Sequence, residues 1–189
     1  MSDVSASVTE GLSYKDNMSI AWKVVDFNPG ESHLALVNES NEAFLKAVSA
    51  VTEFSREASD TPAGLSHELS RLDLKLNLLL DLVGQLIYQQ LDIPSTSLVT
   101  VTSSEVMWGA DHLPSPGDTL FVQLYIQRGI PKPLSFYGRV VAVDGGSARV
   151  QLIGLSESVQ QWLDKLIFRH HRREVAFRKG YKADGEVEL

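Results

Sequence analysis

The feature that most constrains this chain is a heptad repeat of large apolar residues near the middle of the sequence. They alternate at spacings of four and three, at Leu65, Leu69, Leu72, Leu76, Leu79, Val83 and Leu86. A helix that packs once on a core drifts toward a 3.6-residue period, whereas a 3.5-residue period is typical of a coiled-coil seam. The repeat therefore predicts a helix whose partners are copies of itself, with an ordinary buried helix as the alternative.

The residues that flank this seam indicate a bundle rather than a pair of helices. Leu80, Leu82 and Ile87 occupy e and g positions in the C-terminal half, where a two-stranded coil usually carries charge. An apolar face of this width suits a bundle of more than two helices, or a helix that also packs on its own domain. The charges at the e and g positions do not choose between parallel and antiparallel helices.

The composition excludes several kinds of site. None of the 189 residues is cysteine, which rules out disulfides, thiolate catalysis and cysteine-ligated metals. The net charge of −7 disfavours wholesale nucleic-acid binding. The N-terminus lacks a signal-peptide pattern, and Asp81 and Gln85 interrupt the most apolar run. We therefore expect a cytoplasmic protein without a membrane span.

Around the heptad helix the chain divides into four predicted regions. They are a disordered tail (1–15), an N-terminal strand with a helical oligomerisation region (16–96), a strand-rich domain with a C-terminal helix (97–179) and a tail (180–189). Helices are predicted at about 39–58 and 157–177. Short, closely spaced strands and the hairpin signal Asp144-Gly145-Gly146 predict a small antiparallel barrel. The predicted class is α+β, a β-barrel with a C-terminal helix, preceded by a strand and two helices.

The strand-rich domain resembles a PilZ domain, the bacterial receptor module for cyclic di-GMP. The stretch TSSEVMWGADHLPSPGDTLFVQL is similar to the PilZ segment in which a serine-containing turn leads into the second strand and Gly-Asp opens the third. The stretch YGRVVAVDGGSARVQLIGL is similar to the next hairpin. The upstream strand and helices resemble the atypical tetrameric branch, whose heptad helix precedes the barrel. With the wide apolar face, this resemblance predicts a tetramer.

The residues with which this family binds cyclic di-GMP are mostly missing. The family uses Arg-x-x-x-Arg before the barrel and Asp/Asn-x-Ser-x-x-Gly on the early strands, because guanidiniums bind phosphates bidentately. The segment VGQLIYQQLDIPSTS contains no arginine. If Ser103 is the motif serine, Val101 replaces Asp or Asn and Val106 replaces Gly. The ligand site is therefore predicted to be degenerate, and cyclic di-GMP is a doubtful ligand.

One basic run, residues 164–179, holds six cationic and two acidic side chains. Two functional hypotheses use it: a cyclic di-GMP receptor with Arg169, Arg172 and Arg173 as substitute cations, and a nucleic-acid-binding oligomer. The simpler interpretation is a solvated helix face with cations near the C-terminal end of the helix dipole. His170 and Glu174 share a helix face, but no third ligand is indicated, so no metal site is predicted.

The preferred prediction is a non-enzymatic, oligomeric scaffold or adaptor in cyclic di-GMP-linked signalling, with an unidentified protein partner. No catalytic residue or cofactor is predicted, because the sequence contains no nucleophile elbow, phosphate loop or dinucleotide fingerprint. Trp22 and Trp162 are predicted core anchors. Trp108 is also predicted to lie in the core, with partner binding as the alternative.

Overall fold

The computed structural model describes residues 12–53, 63–88, 90–126, 130 and 132–184. The elements are β1 (Tyr14–Val24), α1 (Glu31–Glu53), α2 (Ala63–Tyr88), β2 (Thr96–Val101), β3 (Glu105–Gly109), β4 (Thr119–Tyr125), β5 (Leu134–Asp144), β6 (Ser147–Ile153) and α3 (Glu157–Asp184). The strands close into an antiparallel barrel in the order β1-β2-β3-β6-β5-β4. This confirms the predicted α+β class with a small antiparallel barrel and a C-terminal helix.

Every second side chain of a strand lies inside the barrel, because successive side chains of a β-strand lie on opposite faces of the sheet. On β4, Leu120, Val122 and Leu124 are fully buried, while the residues between them are partly exposed. Trp108 on β3 is 2% exposed, which assigns it to the core rather than to a partner-binding surface. Trp22 and Trp162 are partly buried and pack against the same core, as predicted.

The position of β1 corrects the predicted grouping of the N-terminal strand with the helical region 16–96. β1 pairs with β2 on one side and with β4 on the other. Without it, β2 and β4 would both present unpaired edges, so β1 is the strand that closes the barrel. Strand periodicity shows which face is buried but does not identify a partner strand that is distant in the sequence.

Several predicted element boundaries also need correction. α1 begins at Glu31 rather than near residue 39, and its first turn is closed by the Leu34 amide donating to the Gly30 carbonyl at 3.1 Å. β1 begins inside the predicted tail 1–15, and α3 continues to Asp184, inside the predicted tail 180–189. The predicted disorder of residues 1–11 and the predicted end of α1 near residue 58 lie outside the described residues.

Helices α1 and α3 lie side by side on the barrel and run in the same direction. At one end, Asn38 on α1 accepts from the Ser156 amide at 3.1 Å. At the other end, Arg169 on α3 donates to the Ser49 hydroxyl on α1 at 2.7 Å. The α3 residues that join the core are Val159, Leu163, Leu166 and Ile167. None of the helices in the described ranges is long and apolar enough to cross a bilayer.

Candidate oligomerisation and ligand surfaces

Helix α2 carries an apolar surface that its own protomer leaves uncovered. The side chains of Leu69, Leu72, Leu76, Leu79, Val83 and Leu86 are each 50–58% exposed. Within the described part of the chain, α2 does not pack closely against any other helix or strand. The alternative interpretation of the heptad repeat, an ordinary helix buried in the core of its own protomer, is therefore wrong. The side chain of Leu65, the first residue of the predicted seam, lies outside the described residues.

The apolar surface of α2 extends beyond the seam itself. Leu80 and Leu82, at flanking positions, are 56% and 53% exposed, and Leu74 and Leu78 elsewhere on the helix are exposed as well. An apolar patch of this extent on a soluble protein usually marks an interaction site. Because the exposed leucines surround much of the helix, more than one neighbouring helix is needed to cover them.

The polar side chains of α2 form local pairs that stabilise the helix without covering the seam. Arg71 and Glu68 form an ion pair at 3.0 Å. The Asn77 amide donates to Asp73 at 3.2 Å, and a similar bond joins residues 85 and 81. Such i,i+3 and i,i+4 pairs contribute about 0.2–0.5 kcal/mol each, so they support the helix but do not explain why seven heptad positions are apolar.

The turn between β2 and β3 presents Ser103, the one residue that matches the family's ligand motif. The Thr102 hydroxyl accepts from the Glu105 amide at 2.9 Å and braces the turn. The Ser104 carbonyl accepts from the Leu152 amide on β6 at 2.8 Å. These bonds hold the turn rigidly, while the hydroxyls of Ser103 and Ser104 make no hydrogen bond to any described residue.

This turn borders a cavity of about 750 Å³ between the barrel and α3. Its lining residues include Ser103, Ser104, Met107, Arg149, Lys165 and Phe168. Strand pairing places Arg149 on β6 opposite Met107 on β3, and α3 contributes the lysine and the phenylalanine. Arg149, Lys165 and Phe168 were not predicted as site residues, because β6 and α3 come together only in the fold and the three residues form no local motif.

The three predicted substitute arginines of α3 do not line this cavity. Arg169 binds the Ser49 hydroxyl on α1, so its guanidinium helps to attach α3 to α1. Arg172 lies over the Phe168 ring, with its guanidinium carbon 5.9 Å from the ring centroid. Arg172 and Arg173 are both exposed. The structure therefore brings Ser103 close to a different pair of cations from those expected.

His170 is half-buried and packs against β1. Its ring stacks on Tyr14 of β1 with 3.7 Å between centroids, and the Tyr14 hydroxyl donates to Asp16 at 3.2 Å. Burial lowers the pKa of His170, and the nearby Arg173 lowers it further, against the opposing effect of Asp16. Among the described residues, no three histidine, aspartate or glutamate side chains are grouped so as to hold a metal ion.

Comparisons with known proteins agree with this architecture. The model of the family described as "atypical PilZ domain, cyclic di-GMP receptor" matches residues 45–179. A solved structure from Xanthomonas campestris, described as a tetrameric PilZ domain self-assembled via an unusual helical bundle, is similar in fold. It has a TM-score of 0.68 at 24% sequence identity, over 89% of this chain and 92% of that chain. None of the curated proteins compared with this chain is similar to it.

Proposed function

The chain belongs to the atypical PilZ domain family, and on that premise we propose that it is a non-enzymatic homo-oligomeric scaffold in cyclic di-GMP-linked bacterial signalling. The single observation that carries the proposal is the exposure of the α2 seam, with six heptad side chains 50–58% exposed in the protomer. Burying a leucine or valine side chain contributes about 1.5–3 kcal/mol. Six such side chains repeated in every copy provide a large driving force for self-association.

The proposed stoichiometry is four. The α2 surface is too wide to be covered by one partner helix, and the structural neighbour from Xanthomonas campestris is described as a tetramer built through a helical bundle. In such an assembly, four barrels are displayed at fixed separations, so that a partner with several binding segments is held with avidity. We propose the cytoplasm as its compartment and another protein as its partner.

The test replaces two seam leucines by aspartate. Leu72→Asp with Leu79→Asp introduces charge at two d positions, and each substitution recurs in every chain of the bundle. We expect light scattering to give the mass of a single 20.8 kDa chain, with the far-ultraviolet circular dichroism of the barrel retained.

The matched control is Ser70→Asp with Asn77→Asp. These residues lie on the same helix, seven apart like the seam pair, but at b positions outside the seam, and both are exposed. The control variant should keep the oligomeric mass. If the seam variant keeps the same mass as the control, α2 is not the oligomerisation element and the proposal fails.

The two alternative functions have less structural support. A cyclic di-GMP receptor that uses Arg169, Arg172 and Arg173 requires these residues at the ligand cavity, which none of them lines. A nucleic-acid-binding oligomer requires a free basic face, but Arg169 is already bonded to Ser49. The scaffold hypothesis needs no rearrangement of α3, and for this reason it is preferred.

A further inference from the structure

The outer face of the barrel carries a cluster of aromatic rings that belongs neither to the core nor to the α2 seam. Phe27, which follows β1, Phe121 on β4 and Tyr137 on β5 together form this aromatic surface. We propose that it docks a segment of a protein partner that presents a large apolar side chain next to acidic residues. The proposal rests on the scaffold function, because it names the kind of partner that the displayed barrels hold.

The three rings of the aromatic surface contact one another in a row. The centroid of the Tyr137 ring lies 5.1 Å from that of Phe121 and 6.2 Å from that of Phe27. Strand pairing places Phe121 opposite Tyr137, and Phe121 lies on the outer face because Leu120 and Val122 on either side of it are buried in the barrel. None of the three rings is part of the hydrophobic core. The aromatic surface is therefore a second apolar cluster, on the outside of the barrel.

A partner reaches the aromatic surface chiefly through Phe27. Its side chain is 50% exposed, and Val24 at the end of β1 is 47% exposed, whereas Tyr137 beneath Phe27 is only 7% exposed. The Phe27 ring is held between the rings of Tyr137 and His33. An aromatic side chain that is already fixed in place loses little conformational entropy on binding, and aromatic residues are enriched in protein interfaces. Phe27 is thus suited to be the anchor point of a docked segment.

Two cations on the same outer face indicate the charge of the partner. Lys23 on β1 pairs with Phe121 across the strands, and its ammonium lies 5.4 Å from the centroid of that ring. Arg139 comes two residues after Tyr137 on β5 and so shares its face. Both cations are exposed, and neither forms an ion pair with a described residue. Acidic residues beside the apolar anchor of the partner would complement these two charges.

Exposed carboxylates near Phe27 restrict where the acidic residues of the partner can lie. Asp26 precedes Phe27 in the chain, and Glu31 is the first residue of α1. Like charges repel, so the acidic residues belong at the end of the surface that carries Lys23 and Arg139. The net charge of −7 disfavours an anionic membrane as the occupant, because the whole chain is repelled by such a membrane.

Self-association through the α2 seam uses none of the residues of the aromatic surface. α1 begins beside this surface, where the His33 ring lies 6.1 Å from that of Phe27. It then runs for 23 residues, about 33 Å of helix, before the chain continues toward α2. Each copy in the oligomer carries one aromatic surface, so a partner with several matching segments binds with avidity.

The test is a selection of random 12-residue peptides, displayed on phage, against the immobilised full-length protein, followed by fluorescence anisotropy with the selected peptides in synthetic form. We expect these peptides to share an aromatic or large aliphatic residue with acidic residues beside it. Their affinity should fall as the salt concentration rises, because exposed charges are screened. Selection of no peptide, or of peptides without acidic residues, overturns the inference.

Phe27→Ser should weaken binding of the selected peptides at least tenfold, because it removes the exposed ring and leaves the barrel core intact. Leu98→Ser is the matched control, since Leu98 is 53% exposed on β2 and lies outside the aromatic surface. Lys23→Glu should also weaken binding at least tenfold. Its control is Lys15→Glu, because Lys15 is exposed on the same face of β1. Unchanged affinity for Phe27→Ser or Lys23→Glu, or equal losses in the controls, contradicts the proposal.

Two further measurements separate this proposal from its alternatives. Vesicles of phosphatidylcholine and phosphatidylglycerol should not bind the protein in a flotation assay. Vesicle binding that Phe27→Ser abolishes would identify a membrane-contacting surface and overturn the proposal. Light scattering should give the wild-type mass for all four variants, so a failure of peptide binding is distinguishable from a failure of self-association through α2.

Discussion

At the scale of single residues, His170 is expected to make the stability of the folded protein depend on pH. Its ring lies against Tyr14, between the barrel and the helix. Because burial lowers the pKa of His170 below its usual 6.5, the folded protein binds this proton less readily than the unfolded chain does. Acidification therefore favours the unfolded chain at this residue.

The predicted result is a loss of stability as the pH falls below about 6.5, the pKa of an unperturbed histidine, continuing until the pH passes the lowered folded pKa of His170. His170→Phe should keep the stack on Tyr14 but remove the titration. Thermal unfolding from pH 7.5 to 5 should thus show a smaller acid-dependent decrease in the variant than in the wild type. Identical decreases would show that His170 does not contribute to the pH dependence.

Single-residue predictions from sequence rest on local patterns, and they do not reach contacts that the fold makes between distant residues. Ser103 was singled out as the one residue that matches the family's ligand motif; it lines the cavity, and its role in binding stays a prediction. Arg149 could not be singled out in this way, because its position depends on the pairing of β6 with β3. Likewise, no sequence pattern indicates that Arg169 would be bonded to Ser49 on α1.

At the scale of elements, α1 is attached to the barrel by two asparagines that each bind backbone groups. Asn41, 2% exposed, donates to the Ser135 carbonyl at 2.6 Å and accepts from the Ser135 amide at 3.0 Å. Asn38 makes the equivalent pair of bonds to the Gly154 carbonyl and the Ser156 amide, at a more exposed position.

Asn41→Leu should destabilise the protein by about 1–3 kcal/mol, because backbone groups of Ser135 lose their partners where water has little access. Asn38→Leu is the matched control and should cost less, since water can replace its bonds. Urea unfolding of both variants at equal protein concentration measures the difference. Equal losses would mean that burial of the Asn41 bonds is not what holds α1 in place.

The elements also differ in how far sequence could predict them. The heptad helix and the Asp144-Gly145-Gly146 hairpin follow from local patterns, and both are present in the structure. The role of β1 in closing the barrel does not follow from a local pattern, because its partner strands lie far along the chain. The start of α1 was predicted too late, because its first turns are mostly exposed and add little to the apolar stripe.

At the scale of the whole molecule, the protomer combines a well-packed barrel with a helix, α2, whose apolar seam stays exposed. The barrel, α1 and α3 share one hydrophobic core, whereas the seam of α2 has no partner within the described chain. This division separates the assembly of the protein from the folding of its protomer. Substitutions in the seam should change the number of copies, and substitutions in the barrel core should change the stability of the protomer.

The most direct test of the central claim is the mass of the wild-type protein in solution, measured by size-exclusion chromatography with multi-angle light scattering over a range of concentrations. Four copies of the 20.8 kDa chain should elute as one species of about 83 kDa, because the α2 seams bury one another. A mass of 20.8 kDa at every concentration would contradict self-association through α2, and with it the proposed scaffold.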